Sequence, residues 1–359
     1  MVAVRPLRVE ELAEVLAFDF NTRAMPKLNP GWRWEDQEEA VMSACSSLVT
    51  IVKDGNSRVV KFSHFSVKEF LTADRLAEPI RDVSCYHIRH EAAHAILAQA
   101  CLGVLLRLDD RVDLDSLKNF PLARYAAQHW PTHAREENVS SRIKEGLECL
   151  FDPDKPHFAT WLWIYNEDQG GDSMIPTMHP EKPEAVSLYY AARLGFRDLA
   201  EHLIAEHPEH VSARGGYLVT PIHAAASRGQ ADILSSLIQN GAYVNVRNRI
   251  GDTPLFLASE NARLEAGKIL LNHGADIDAQ NKFNNTPLIY AIIRNNIEFA
   301  RMLLERGAII NARCQGDKSP LHWAVQRGST EVVRLLLGYG ADVNFVRQIG
   351  PHPFPASAT

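Results

Sequence analysis

A thirty-three-residue period runs through the second half of this 359-residue chain and constrains its fold more than any single residue does. Thr220-Pro221, Thr253-Pro254, Thr286-Pro287 and Ser319-Pro320 recur at intervals of 33. A second marker keeps the same register: Gly241-Ala242-Tyr243-Val244-Asn245, Gly274-Ala275-Asp276-Ile277-Asp278, Gly307-Ala308-Ile309-Ile310-Asn311 and Gly340-Ala341-Asp342-Val343-Asn344. Two markers locked to one period describe stacked supersecondary units, none of which buries its own apolar face. Within each unit Thr or Ser caps a short helix that opens on Pro, where the missing N–H costs nothing. A second helix follows with apolar residues at helical spacing, such as Ile233, Leu234, Leu237 and Ile238, or Val332, Val333, Leu336 and Leu337. Gly of the second marker ends that helix. Polar turns such as Arg247-Asn248-Arg249 and Lys282-Phe283-Asn284-Asn285 then read as projecting hairpin-like fingers.

Thr220-Pro221-Ile222-His223-Ala224-Ala225 and Ser319-Pro320-Leu321-His322-Trp323-Ala324 resemble the ankyrin repeat. The resemblance covers residues 183–345 and implies five helix pairs, the first a degenerate copy near Val186-Ser187-Leu188-Tyr189-Tyr190-Ala191-Ala192. One extra residue in His207-Pro208-Glu209-His210 accounts for its spacing of 34 from the next copy. The third pair departs most from the pattern. Ala262 stands where a turn glycine is expected, and Gly267 lies inside the second helix at a cost of about 1 kcal/mol relative to Ala. That pair is therefore expected to be the softest joint. Beyond it, His352-Pro353 falls at the next Thr-Pro position, but Pro355 would interrupt a sixth helix. The array thus lacks a polar capping repeat in 346–359, an irregular tail, and either belongs to a longer protein or has that face covered.

The first half carries no such period. Arg8 to Phe18 and Glu35 to Cys45 have helical patterning. Ser47 to Lys53 and Arg58 to Phe65 read as strands joined at Asp54-Gly55-Asn56-Ser57, and Ser66-Val67-Lys68-Glu69 is a capping box opening a further helix. This predicts a winged-helix-like α+β domain at 1–82, a helical connector at 83–165 and a linker at 166–182. The fold class is mostly α. Arg5-Pro6-Leu7-Arg8-Val9-Glu10-Glu11-Leu12-Ala13 and Val60 to Leu71, with Ala93 to Leu102 and Leu122 to Trp130, resemble the segment following the nucleotide-binding module of fungal NACHT-type signalling ATPases. The resemblance implies a sensor of ankyrin repeats and a winged-helix relay. No Gly-x-x-x-x-Gly-Lys-Ser/Thr occurs in the chain, so nucleotide hydrolysis is not carried over.

Two other chemistries compete. His90-Glu91-Ala92-Ala93-His94 has the zincin spacing, but no Gly-x-x-His extension follows it and it falls in the connector, so a helix-surface pair of histidines is the expectation. A winged helix also suggests nucleic acid. Residues 1–80, however, hold ten Lys or Arg against twelve Asp or Glu, where a groove binder is basic. The whole chain is net −6. Five singly placed cysteines have neither metal nor redox spacing and suit a reducing, cytoplasmic setting, with a nuclear one also open. No catalytic residue, cofactor or metal ligand is assigned.

What remains is a protein partner. Tyr290, Arg294, Trp323, Gln326 and Arg327 fall on the short-helix positions that, by the resemblance, line a concave face. Arg247, Arg249, Lys282, Phe283 and Lys318 lie on the fingers. Arg and aromatic residues dominate interface energetics, so these ten form the candidate protein-binding surface. His223 and His322 are read instead as bonding backbone near the turns.

Overall fold

The computed structural model describes residues 3–20, 25–29, 36–45, 49–55, 57–62, 90–136, 138–169, 185–215, 219–314 and 316–344. They fall in two compact units, Met1–Pro183 and Glu184–Thr359. The helix opening at Ser66 and the tail 346–359 lie outside the described residues, as does most of the linker 166–182.

In the first unit, helix α1 (Val9–Leu16) leads to a short antiparallel pair, β1 (Phe18–Asp19) with β2 (Lys27–Leu28). Helix α2 (Gln37–Cys45) follows; Asp36 opens it by accepting from the N–H groups of Glu38 and Glu39 at 2.9 and 3.1 Å. Then β3 (Val49–Asp54) pairs antiparallel with β4 (Ser57–Phe62), Asp54 opposite Ser57, so the turn is two residues long. Gly55 supplies the positive φ (59°) such a turn requires. The hairpin is extended on one edge by the residues leading into α1: Arg8 bridges Val59, and Val60 N–H donates to Leu7 O at 2.9 Å. Val9, Ala13, Val41, Val49 and Val60 close the small core beneath.

The connector is built on α3 (His90–Leu105) and α4 (Ala123–Ala134), with α5 (Val139–Arg142), α6 (Lys144–Phe151) and α7 (His157–Gln169) packed around them. Buried Trp130 meets Phe151 and Trp161 edge-on at 5.9 and 5.6 Å, and Trp161 Nε1 donates to Ala127 O at 3.0 Å. Long-range polar contacts tie the connector to the start of the chain. The buried Glu14 carboxylate accepts from Leu122 N–H at 2.7 Å, and Val4 N–H donates to Tyr125 Oη at 3.2 Å.

The second unit contains five helix pairs: α8 (Ser187–Leu194) with α9 (Arg197–Glu206), α10 (Pro221–Arg228) with α11 (Ala231–Gln239), α12 (Pro254–Glu260) with α13 (Leu264–Asn272), α14 (Pro287–Ile293) with α15 (Ile297–Glu305), and α16 (Pro320–Arg327) with α17 (Thr330–Gly338). Every pair turns the same way. The residues at the turn, Gly195, Gly229, Ala262, Asn295 and Gly328, all have φ between 55° and 83°. The next N–H reaches back to an alanine carbonyl in each case: Ala191, Ala225, Ala258, Ala291 and Ala324. The turn geometry thus survives where glycine does not, at a left-handed penalty of roughly 1–2 kcal/mol for Ala262.

Gly267 is not the defect its helix position suggested. A Cβ there would stand 2.6 Å from Cζ of Phe299 and 3.1 Å from Cε of Met302, so the missing side chain lets α15 pack close. The Asn or Asp closing the second marker also has a task. Asn245, Asp278 and Asn311 accept from the N–H of Asp276, Ile309 and Asp342 in the following repeat, at 2.8, 2.9 and 3.1 Å.

Candidate functional site

The fingers are cross-braced hairpins. Each closes with one backbone bond in the same register: Asn248 N–H to Asp252 O (3.0 Å), Asn281 N–H to Asn285 O (3.1 Å) and Cys314 N–H to Lys318 O (3.1 Å). In the first two, an asparagine side chain holds the turn from inside. Asn248 Oδ1 accepts from Ile250 and Asp252 N–H, and Asn281 Oδ1 accepts from Phe283 and Asn285 N–H, all between 2.9 and 3.1 Å. Cys314 replaces that asparagine in the third finger. There Trp323 Nε1 donates to Cys314 Sγ at 3.1 Å, and the indole packs against Ile289, Ala312 and Cys314.

Asp252 knots three successive repeats together. Its buried carboxylate accepts from Asn281 Nδ2 at 2.8 Å, while its carbonyl lies 3.1 Å from Nε2 of His223. Burial pushes the Asp252 carboxyl above its ordinary value, and the Asn281 and Asn248 amides work against that shift. His223 Nδ1 sits 3.3 Å from Thr220 N and 2.9 Å from Thr220 Oγ1, so the ring accepts there and donates from Nε2 to Asp252 O. Burial lowers its pKa to about 4. His322 caps Ser319 through the same geometry. Both histidines are built into the helix starts.

Neighbouring fingers are joined edge to edge. Lys282 N–H donates to Ile250 O at 3.0 Å, and Gly251 (φ 88°) allows the approach, since a Cβ there would meet Lys282 N at 3.1 Å. The two tips present equivalent pairs, Arg249-Ile250 and Lys282-Phe283, one basic and one apolar residue each. Ile250 is 42% exposed and Phe283 44% exposed. Ile250 was absent from the sequence-based set, although its spacing of 33 from Phe283 was the signal that would have found it.

The remaining candidates separate. Lys318, Trp323 and Gln326 come together: the Lys318 ammonium lies 4.4 Å from the Trp323 ring centroid and donates to Gln326 Oε1 at 2.8 Å. Arg327 is exposed beside them on α16. Tyr290 packs against Phe256, ring centroids 4.2 Å apart and planes tilted by 52°, and is half-buried, so it contributes packing between repeats as well as surface. Arg294 pairs with Glu260 of the preceding repeat, and Arg247 donates to the carbonyls of Gln280 and Gly251. These two guanidinium groups already serve as struts between repeats, a role that no local pattern signals.

The His-Glu-x-x-His segment is differently arranged from a zincin helix. Glu91 pairs with Arg142 at 2.8 Å. His94 faces the protein rather than the helix surface: its Nδ1 is 2.9 Å from Nδ1 of buried His133, whose Nε2 is 2.8 Å from Tyr125 Oη. One His–His contact needs one ring N–H and one lone pair, and burial with the neighbouring His94 and His129 lowers His133 to about 4. His90 opens α3, and its side chain lies outside the described residues.

Comparison with known proteins matches this geometry from both ends. The family described as "Ankyrin repeats (3 copies)" matches residues 188–281 and 274–346. The second unit is an ankyrin-repeat array. The family "GPI inositol-deacylase, winged helix domain" matches residues 1–80, so a winged-helix domain precedes the array. Among relatives, "Azaphilone pigments biosynthesis cluster protein L" of Monascus ruber is 30% identical over 261 residues, 67% of this chain and 54% of the relative. The chain therefore spans about half the length of that relative. "BCL-6 corepressor-like protein 1" of Mus musculus is 42% identical over 64 residues, 18% of this chain and 4% of that protein. "Alpha-latrocrustotoxin-Lt1a" of Latrodectus tredecimguttatus is 40% identical over 60 residues, 17% of this chain and 4% of the toxin. Ankyrin repeats are non-catalytic interaction modules, and among the described residues no helix is long and apolar enough to cross a membrane.

Proposed function

We propose that this chain is a non-enzymatic adaptor that grips a protein partner along the finger tips and concave short-helix face of its ankyrin array. The observation that carries the proposal is the Lys282 N–H bond to Ile250 O, which fixes two finger tips side by side with Arg249, Ile250, Lys282 and Phe283 exposed. Backbone braced in this way loses little conformational entropy on binding. Two cations flanking two apolar side chains suit a partner segment that mixes acidic and apolar residues. The Lys318, Trp323, Gln326 and Arg327 group on the last repeat extends the same chemistry.

The finer reading is that the array is the sensor end of a NACHT-type signalling receptor, with the winged helix as relay and the ATPase outside this chain. It rests on the resemblance of the first 130 residues and on the order of winged helix, connector and repeats. A cytoplasmic setting follows from the same reading. The thiols of Cys101, Cys149 and Cys314, among the described residues, accord with a reducing compartment.

A photo-crosslinker installed at Phe283 in cells of the source organism identifies the partner, and calorimetry with the purified pair measures it. Arg249→Glu combined with Lys282→Glu is expected to weaken that complex at least tenfold, mainly through a faster off-rate and altered salt dependence. Unchanged affinity in the charge-reversed variant sinks the surface assignment. Turnover of any substrate by the purified chain sinks the adaptor.

A further inference from the structure

The extra residue of the first repeat builds a cluster of metal-ligating side chains. His207-Pro208-Glu209-His210 leads from α9 into a 3₁₀ turn, Pro208–Ser212, with Pro208 at its first position. A 3₁₀ turn has three residues per turn and eclipses the side chains at i and i+3. His207, which caps this turn, and His210 stack, ring centroids 5.2 Å apart and planes 23° from parallel. Glu209 lies between them in sequence: its Oε1 is 3.5 Å from His207 Nδ1 and 3.9 Å from His210 Nε2. One ligand atom from each of the three residues falls within 4.8 Å of the other two.

These separations approach those of a metal shell. A tetrahedral ion with bonds of about 2.0–2.2 Å holds its ligand atoms about 3.3–3.6 Å apart, so modest side-chain rotation closes the set. The backbone beneath is fixed: His207 N–H donates to Leu203 O at 2.9 Å, His210 N–H to His207 O at 3.0 Å and Ala213 N–H to His210 O at 3.1 Å. Val211, 3% exposed, anchors the turn in the core. The two imidazoles are half-buried and the carboxylate is exposed, which leaves an entry path for an ion.

We infer that His207, Glu209 and His210 bind one Zn²⁺, the fourth position being taken by water. Two imidazoles and a carboxylate are a common zinc donor set, borderline in softness and free of sulfur. The ion ties the end of α9 to the turn that follows it, at the junction between the first repeat and the second. This site is separate from His90-Glu91-x-x-His94, whose Glu91 and His94 are engaged with Arg142 and His133.

Isothermal titration of the full-length, tag-free chain with ZnCl₂ tests the inference, with MgCl₂ as comparator. The expected result is one equivalent of Zn²⁺ bound, with affinity at least tenfold lower in His207→Gln, in Glu209→Gln and in His210→Gln, and unchanged in Cys149→Ser, which removes a partly exposed thiol. X-ray absorption of the zinc-loaded wild-type chain should show nitrogen and oxygen at about 2.0–2.1 Å and no sulfur at about 2.3 Å. That readout stands even if a variant fails to fold. Absence of Zn²⁺ uptake by the wild type, uptake that survives the histidine substitutions in folded variants, or sulfur in the shell overturns the site.

Discussion

Replacing Gly267 by Ala sets two magnitudes against each other. In an isolated helix Ala is favoured over Gly by about 1 kcal/mol, so the substitution would stabilise α13. In this array the added Cβ would stand 2.6 Å from Phe299 Cζ and 2.8 Å from Cε2, inside van der Waals contact. Phe299 is 1% exposed, so its ring has no solvent to swing into. Overpacking of this kind costs about 1–3 kcal/mol, which outweighs the propensity gain and leaves a net loss of about 1 kcal/mol. A double-mutant cycle with Phe299→Leu isolates the cause. In the leucine background the methyl has room, the helix preference reappears, and the two changes should be non-additive by about 1–2 kcal/mol. Urea unfolding followed by circular dichroism supplies the free energies. Hydrogen exchange across Leu264–Asn272 and Ile297–Glu305 supplies a local readout where the repeats do not unfold as one unit. A gain of the full helix-propensity amount from Gly267→Ala in the wild-type background would refute close packing as the reason for this glycine.

Two further outcomes follow from the same geometry. Ala262→Gly relieves a left-handed alanine (φ 55°) and should stabilise the third repeat by about 0.5–1 kcal/mol after the entropy of the unfolded glycine is counted, with slower hydrogen exchange in α12 and α13; a loss of stability contradicts the strain. Stability should also fall on acidification. His133 and His223 are both lowered to about 4 by burial, so each unfolded state binds a proton that the folded state refuses between about pH 6.5 and pH 4. The stabilisation is complete above pH 6.5 and is lost as the pH drops toward 4, on the order of 2–3 kcal/mol for each ring. Denaturant midpoints compared at pH 7 and pH 5 check this, and a His223→Ala variant whose decline is as steep as the wild type removes that ring as a cause.

The repeat half was legible because its contacts are local and periodic. Thr-Pro or Ser-Pro opens the first helix and Gly-Ala ends the second in four pairs, and the degenerate copy at Val186 to Ala192 supplies the fifth, so five pairs could be counted without any tertiary knowledge. Ala262 and Asn295 were less transparent, since a left-handed turn imposed by the stack overrides the absence of glycine. Gly267 was misjudged for the same reason: helix propensity is visible along the sequence, whereas the Phe299 ring arrives from the next repeat. In the first half the decisive contacts join residues more than a hundred positions apart, Glu14 to Leu122 and Val4 to Tyr125, and no local pattern encodes them. His94 met His133 across 39 residues in the same way. At the candidate surface, finger register placed Arg249, Lys282 and Phe283 on the exposed tips. It could not reveal that Arg247 and Arg294 are engaged with adjoining repeats.

The rungs made by Asn245, Asp278 and Asn311 run in one sense only, each acceptor reaching the amide of the module that follows. A gene that gains or loses coding sequence in multiples of ninety-nine bases keeps every rung, because any thirty-three-residue block offers the same acceptor at one end and the same donor at the other. Such a lineage can lengthen or shorten its gripping surface in whole steps, and diversify the finger tips independently, with these rungs left untouched.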